Sequence, residues 1–218
     1  MSHPFNWSLF ESVPVVGIMR NFPDAQLQPV VAAYQAAGLS TLEITMNTPG
    51  ATGIISRLRE QWGDKMNIGA GTVLSDEDLE KALAAGAQFI VTPIVVKSVD
   101  RACKKLGIPV FPGAMTPTEI YKAWGYGATA VKVFPASRLS PGYLKDVLEP
   151  LNEVKLIPTG GVNPENFLEY MKMGAVGAGM ASALWPKDII NSGNWDELRA
   201  FYDGIVNRYR EFKNGQQQ

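Results

Sequence analysis

Short apolar runs recur along the chain, and each follows a stretch whose apolar residues are spaced three and four apart. PDAQLQPVVAAYQAAG, SDEDLEKALAAG and PENFLEYMKMG are three such stretches, and each ends in glycine. Apolar residues at this spacing predict an amphipathic helix, and the glycine is typical of a left-handed cap that leads into the next strand. The pattern therefore predicts alternating helices and strands.

The apolar runs predict eight strands, at intervals that suit one strand and one crossover helix. They lie at residues 15–19, 41–45, 67–71, 89–92, 109–111, 130–134, 155–158 and 176–180. The predicted fold class is α/β, and eight such units favour a (β/α)8 TIM barrel. An open doubly wound sheet is the alternative.

The chain length favours a single domain, since 218 residues suit one barrel. Its core is expected at about residues 13–210, after a short helix at 5–11, and the polar segment 211–218 is expected to be a frayed tail. The first ten residues do not resemble a signal peptide, and no run of about 18 apolar residues predicts a spanning helix. We therefore expect no membrane association.

Composition excludes several kinds of chemistry. The net charge of −1 gives no basic surface for nucleic acid. Cys103 is the only cysteine, which excludes an internal disulfide or a cysteine-based zinc site and fits a reducing cytoplasm. His3 is the only histidine and lies near the N-terminus, so neither a histidine base nor a metal centre is expected. Proton transfer must use carboxylates, lysines, tyrosines or water.

The strand in ATAVKVFPAS carries a lysine at its centre. Alternation along a strand points Lys132 and Phe134 inward and Val131 and Val133 toward the helices. A buried ammonium ion is costly unless it is paired or loses its proton, and a neutral buried amine is a nucleophile. Lys132 is therefore a candidate catalytic residue.

A carboxylate shares the predicted interior with this lysine. In TLEITMN the alternation points Glu43 inward together with Thr41 and Thr45. Glu43 and Lys132 could form a structural ion pair, which is a weak source of stability, or a catalytic pair. Lys155 also points inward, but it enters at the start of its strand, where barrels place residues for stability.

Three glycine-rich turns follow predicted strands. PTGGVNPEN follows the seventh strand and GAGMASALW the eighth, where barrels commonly hold phosphate through backbone N–H groups. GAGTV follows the third strand and offers Thr72 as a hydrogen-bond donor to a substrate. The alternative interpretation is a tight turn for PTGGVNPEN and GAGMASALW, and close packing at the barrel mouth for GAGTV.

Five of these motifs together indicate a family. LEITMNTP, GAGTVL, FPGAMTPTE, VKVFPA and PTGGVNPEN resemble the aldolases of 2-keto-3-deoxy-6-phosphogluconate (KDPG) and 4-hydroxy-2-oxoglutarate (KHG), over about residues 13–184. The resemblance implies a class I aldolase of bacterial sugar-acid breakdown, in the Entner–Doudoroff pathway. It also implies a cytoplasmic homotrimer that needs no metal or organic cofactor.

The resemblance also implies roles for individual residues. Lys132 would form the Schiff base and Glu43 would be the general acid and base. The residues implied in substrate binding are Thr72 and Thr159 at the pyruvate moiety, Arg20 at the carboxylate, and Gly160, Gly161 and Ser182 at the phosphate.

Two positions depart from the family pattern. Asn47 stands where many gluconate-type members have arginine, although related 6-phosphogalactonate aldolases have asparagine there. Ala181 replaces a glycine often found before Ser182. Both departures leave the aldolase chemistry in place and leave the substrate open.

The predicted reaction is cleavage of KDPG, also called 2-dehydro-3-deoxy-6-phosphogluconate, to pyruvate and glyceraldehyde 3-phosphate. Cleavage of KHG to pyruvate and glyoxylate is a further expected activity. The alternatives are a 2-dehydro-3-deoxy-6-phosphogalactonate aldolase, a phosphosugar isomerase or decarboxylase, and a non-catalytic phosphosugar-binding barrel.

Overall fold

Residues 4–216 are described by a computed structural model, in which parallel strands alternate with helices. The strands are β1 (Val15–Met19), β2 (Thr41–Thr45), β3 (Asn67–Gly71), β4 (Ile90–Val91), β5 (Val110–Phe111), β6 (Gly113–Ala114), β7 (Val131–Val133), β8 (Leu156–Pro158) and β9 (Ala178–Met180). The helices are α1 (Trp7–Ser12), α2 (Asp24–Ala36), α3 (Ala51–Trp62), α4 (Asp76–Ala84), α5 (Lys97–Leu106), α6 (Pro117–Tyr126), α7 (Gly142–Leu148), α8 (Phe167–Lys172), α9 (Lys187–Ser192) and α10 (Trp195–Gly215). The predicted α/β class is confirmed.

The strands form two parallel sheets that are joined by backbone hydrogen bonds. One sheet has the order β5-β4-β3-β2-β1-β9 and the other β6-β7-β8. The Lys132 N–H donates to the Pro112 carbonyl at 2.8 Å, next to the break between β5 and β6. At the other edge, Thr159 and Gly179 form a parallel bridge between the ends of β8 and β9.

The strand predictions differ from the structure mainly around the fifth strand. The bounds of β1, β2 and β3 agree with the prediction, and the later strands are shorter than predicted. The fifth predicted strand is followed by an additional one, β6, which the sequence reading missed. Pro112 separates β5 from β6 because it has no backbone N–H to donate to a neighbouring strand.

Alternation along the strands divides the apolar core into two parts. Leu42 and Val131 pack with the helices in the larger cluster. Ile18 and Ile157 face the opposite side, in a smaller cluster enclosed by the strands. The predicted directions of the side chains in β2 and β7 are thus confirmed.

An aromatic cluster covers the amino ends of the strands. Phe5 and Phe10 pack against Phe89 and Phe111, with neighbouring ring centroids 5.6–6.5 Å apart. The Asn67 side chain fixes the segment before α1, since its amide donates to the Asn6 carbonyl at 2.9 Å and its oxygen accepts from the Asn6 N–H at 2.7 Å. The predicted helix at 5–11 is present as α1.

The C-terminal segment differs from its prediction. Residues 211–215, predicted as part of a frayed tail at 211–218, continue α10 to Gly215, and residues 217–218 lie outside the described residues. Phe212 packs against the larger core cluster, which accounts for the extra helical turn. His3 lies outside the described residues. Within residues 4–216, no helix has the length and apolar character to cross a bilayer, and no cluster of three acidic, cysteine or histidine side chains could hold a metal ion.

Candidate active site

A cavity of about 580 Å³ lies at the carboxyl ends of the strands. Six of the residues predicted from the sequence line it: Arg20, Thr72, Lys132, Thr159, Gly160 and Ser182. They lie in or shortly after five different strands, so the fold brings together residues that are distant in the sequence.

Lys132 is held on the inner wall of the cavity by β7. In the strand register, Lys132 pairs with Gly113 of β6 on one side and with Ile157 of β8 on the other. Only 8 % of the Lys132 residue is exposed. The ammonium group lies 5.3 Å from the centroid of the Phe134 ring, which is close enough for a cation–π contact. The lysine is therefore confined, while its amine still reaches the cavity.

Glu43 lies deeper than the main cavity. Only 2 % of it is exposed, and it shares a small interior space with Lys132 and Thr159. Burial raises the pKa of the Glu43 carboxyl, and the positive charges of Lys132 and Arg20 oppose this rise. A carboxyl with a raised pKa exchanges protons closer to neutral pH, as a general acid and base requires.

No direct ion pair joins Glu43 and Lys132 in the part of the chain that the structure describes. The structural ion pair that the sequence left open is therefore not formed. The two groups face one interior space without neutralising each other, so both remain available to a reacting molecule.

Gly71 makes room for the Glu43 carboxylate. A Cβ atom at this position would overlap Glu43 Oε1. Gly69 is similarly enclosed by the Phe89 ring. Close packing thus explains the glycines of GAGTV, whereas the threonine that follows them faces the cavity.

Thr72 has an unusual backbone conformation. Its φ is 56°, in the left-handed region that β-branched residues rarely adopt. Hydrogen bonds fix both neighbours, because Gly71 accepts from the Met46 N–H at 2.7 Å and the Val73 N–H donates to Val91 at 3.3 Å. The strained residue is thus held with its side chain on the cavity wall.

The two later glycine-rich turns contribute unequally to the cavity. Gly160 and Ser182 line it, and so does Ala181. Gly161 does not line the cavity and lies against Ser137 instead. Both glycines have a φ above 80°, a backbone conformation that favours glycine. The turn itself therefore requires glycine at these positions, whether or not a ligand binds there.

The turn that carries Arg20 is attached to the turn after β2. Asn21 has a φ of 50°, and its N–H donates to Thr48 Oγ1 at 3.0 Å. Thr48 Oγ1 also shares a hydrogen bond with Thr45 Oγ1 at 3.0 Å. Asn47, the position where many family members have arginine, is exposed and does not line the cavity. Arg20 is the arginine that lines it among the described residues.

Sequence reasoning missed the outer wall of the cavity. This wall includes Trp185, Lys187 and Asn191, together with Gln26 from α2. For Lys187 and Asn191 the available signal was their position shortly after the last glycine-rich turn, whereas nothing in the sequence pointed to Gln26. Lys155, by contrast, is exposed beside α1 at the amino ends of the strands, as predicted.

The family model for KDPG and KHG aldolases matches residues 8–201. The chain belongs to this family. It is 36 % identical over 174 residues to the 2-dehydro-3-deoxy-6-phosphogalactonate aldolase of Escherichia coli, which covers 79 % of this chain and 85 % of that one. It is 32 % identical over 200 residues to the 2-dehydro-3-deoxy-phosphogluconate aldolase of Pseudoalteromonas atlantica, covering 88 % and 92 % of the two chains.

A solved structure shows the same fold. It is the KDPG aldolase of Legionella pneumophila with pyruvate captured as a covalent carbinolamine intermediate. The TM-score is 0.82 at 29 % identity, over 91 % of this chain and 96 % of that one. The protein is thus an aldolase, a lyase that cleaves carbon–carbon bonds.

Proposed function

We propose that the protein is a class I aldolase that cleaves KDPG to pyruvate and glyceraldehyde 3-phosphate, with Lys132 as the Schiff-base residue. The observation that carries the proposal is the position of Lys132. It is almost completely buried, yet it lines a cavity of about 580 Å³ and shares a deeper space with Glu43. The pyruvate carbinolamine of the Legionella aldolase supports covalent chemistry at such a site.

In the proposed mechanism, the neutral Lys132 amine attacks the C2 ketone of the 2-oxo acid. The resulting carbinolamine loses its hydroxyl as water, with a proton from Glu43, and leaves a protonated imine. Glu43, now ionised, takes the proton of the C4 hydroxyl as the C3–C4 bond breaks. The bonding electrons move into the imine, so an aldehyde leaves and an enamine remains. Protonation at C3 and hydrolysis then release pyruvate and the free lysine.

The proposed substrate contacts follow the wall of the cavity. Arg20 would hold the C1 carboxylate, since a guanidinium matches a carboxylate through two hydrogen bonds. The hydroxyls of Thr72 and Thr159 would orient the pyruvate part. The turn at Gly160 and Gly161, together with Ser182, would hold the phosphate through backbone N–H groups.

The second candidate is the 6-phosphogalactonate series, which differs at C4. Two observations favour it. The Escherichia coli relative of 36 % identity is named as a 2-dehydro-3-deoxy-6-phosphogalactonate aldolase. In addition, Asn47 matches the asparagine that such enzymes have at this position. KHG is a third substrate to test. Comparing kcat/KM for both phosphorylated epimers and KHG decides among them. The two epimers release the same aldehyde, glyceraldehyde 3-phosphate, so only their rates tell them apart.

We further infer that the two sheets form one closed (β/α)8 barrel. The backbone bonds at Pro112 and the bridge between Thr159 and Gly179 support this, since they join both edges. A homotrimer in the cytoplasm remains our proposal for the assembly, and exposed apolar side chains such as Ile94, Leu106 and Tyr121 support association. Sedimentation at three times the 23.7-kDa chain mass would verify the trimer.

Borohydride trapping with pyruvate tests the imine directly. We expect one reduced pyruvyl adduct per chain, which peptide mass spectrometry assigns to Lys132. Lys132→Ala should give no adduct and no cleavage, whereas Lys155→Ala, which changes a lysine outside the cavity, should give both. A folded protein without an adduct, or cleavage by Lys132→Ala, would overturn the mechanism and favour an isomerase, a decarboxylase or a binding role.

A further inference from the structure

The ionisable side chains that line the main cavity are all basic. Among the described residues they are Arg20, Lys132 and Lys187, and no aspartate or glutamate lines the same space. Such a lining favours anionic ligands through the summed field of its charges. The proposed mechanism uses Lys132 at C2 and Arg20 at the carboxylate, which leaves Lys187 without a role.

The backbone that carries Lys187 is attached to the rest of the cavity on both sides. Two residues before it, the Trp185 indole N–H donates to the Ile18 carbonyl at 2.7 Å, and the ring packs 5.8 Å from that of Phe22. One helical turn after it, Asn191 Oδ1 accepts from the Gln26 side-chain amide at 3.2 Å. Lys187 is therefore fixed at its Cα to the outer wall.

The Lys187 ammonium has no carboxylate partner. Within residues 4–216, no ion pair includes Lys187, although Asp188 is its neighbour in the sequence. Its side chain is exposed and four carbons long, so it can reach an anion at the outer end of the cavity. An unpaired cation on a cavity wall requires no displacement of a protein partner when a ligand binds.

We propose that Lys187 binds the terminal phosphate of the substrate and makes the enzyme select phosphorylated 2-oxo sugar acids over their unphosphorylated counterparts. This inference rests on the proposed function. A phosphate monoester carries a charge of about −1.5 to −2 at pH 7. The backbone N–H groups near Gly160 and Ser182 are neutral donors, so they do not balance that charge. Lys187, which lines the same cavity, supplies the balancing charge.

The test compares Lys187→Met with the parent enzyme on KDPG and on 2-keto-3-deoxygluconate, which lacks the phosphate. A hydrogen bond between two charged groups corresponds to roughly a 10- to 100-fold effect. We therefore expect the ratio of kcat/KM for KDPG to that for 2-keto-3-deoxygluconate to fall by about this factor. Lys187→Arg should retain most of the preference. Lys172→Met, at an exposed lysine outside the cavity, should keep the parental ratio.

Direct binding separates this inference from the aldolase mechanism. Glycerol 3-phosphate contains the phosphate end but no ketone, so its binding does not need the imine. Titration calorimetry should give a Kd at least about 10-fold weaker for Lys187→Met than for the parent. An unchanged Kd and an unchanged ratio would overturn the role of Lys187, even if trapping confirms the imine. A weaker Kd would support that role even if trapping fails.

Discussion

Two carboxyl groups are buried in different regions of the molecule, and their surroundings differ. Glu43 lies inside the ring of strands, where the charges of Lys132 and Arg20 act on it. Asp100 lies in α5, in the outer layer of helices, and is 0 % exposed. Neither oxygen of Asp100 has a hydrogen-bond partner among the residues that the structure describes.

Burial raises the pKa of both carboxyls, and in Asp100 nothing opposes it. The pKa of Asp100 rises to about 7, and burial with the nearby Asp100 charge raises the pKa of the Cys103 thiol to about 12. Glu43 experiences the same desolvation, but cations counteract it, and it borders a space shared with Lys132, which also lines the main cavity. A perturbed pKa therefore marks an active site only when partners and access accompany it.

Glu43→Gln should produce the largest effect and would separate the two carboxyls most clearly. The amide keeps the shape but cannot transfer the proton of the C4 hydroxyl. Loss of a general acid and base lowers kcat by about 10²- to 10⁴-fold. The measurement is steady-state kcat on KDPG, coupled to the release of glyceraldehyde 3-phosphate.

Asp100→Asn is the matched control, because it makes the equivalent change to a carboxyl outside the cavity. We expect its kcat to stay within about 2-fold of the parental value, as for a site without contact to substrate. Equal losses of kcat in both variants would contradict the distinction between the two carboxyls.

Gly71→Ala should have an intermediate effect, since it displaces the Glu43 carboxylate without removing it. The added Cβ overlaps Glu43 Oε1, so the side chain must rotate or the strand must shift. A displacement of about 1 Å in a catalytic group can cost roughly 10²-fold in rate. Measuring kcat and the thermal midpoint together shows whether activity falls while the fold persists.

A glycine outside the site provides the comparison for this variant. Gly53 lies in α3, and a Cβ there would meet no atom within 4 Å. Gly53→Ala should raise stability by about 0.5–1 kcal/mol through helix propensity and leave kcat unchanged. If Gly71→Ala behaves in the same way, the position of the Glu43 carboxylate is not critical.

The interior half of this comparison could be predicted from the sequence. Alternation along β2 and β7 is strict, so it sufficed to point Glu43 and Lys132 inward and Leu42 toward the helices. The bounds of β1 followed from a largely apolar run, and those of β2 from alternating polar and apolar residues. The division of one predicted strand into β5 and β6 at Pro112 could not be predicted. A single proline between two pairs of small or apolar residues does not indicate that β5 pairs with β4 and β6 with β7.

The outer features depend on contacts between distant segments, and no local pattern predicts them. Lys187 and Asn191 reach the cavity only because Trp185 and Gln26 attach α9 to β1 and α2. A carboxylate is expected to face solvent, yet Asp100 lies on the face of α5 that also carries the buried Val99 and Cys103. Its burial is determined by how α4 and α6 pack against α5, which the sequence of α5 alone does not contain.

The smallest effect that we predict concerns stability rather than activity, at Asp100. In the unfolded chain an aspartate titrates near 3.9, and in the folded protein Asp100 titrates at about 7. Between these values the folded state holds a proton that the unfolded state has lost, so stability falls as pH rises through this window. Above pH 7 the full cost of the buried charge is present.

Asp100→Asn removes this titration and should flatten the dependence of the thermal midpoint on pH. Since neither oxygen of Asp100 is hydrogen-bonded within residues 4–216, the amide breaks no hydrogen bond found there. At pH 8 we expect the variant to melt several degrees above the parent, and near pH 4 the difference should disappear or reverse. Scanning calorimetry at pH 4, 6 and 8 measures both slopes. If the thermal midpoints of parent and variant changed with pH in the same way, Asp100 would have to be hydrated or paired in solution. Asp100 and Glu43 would then differ only in where they lie in the fold.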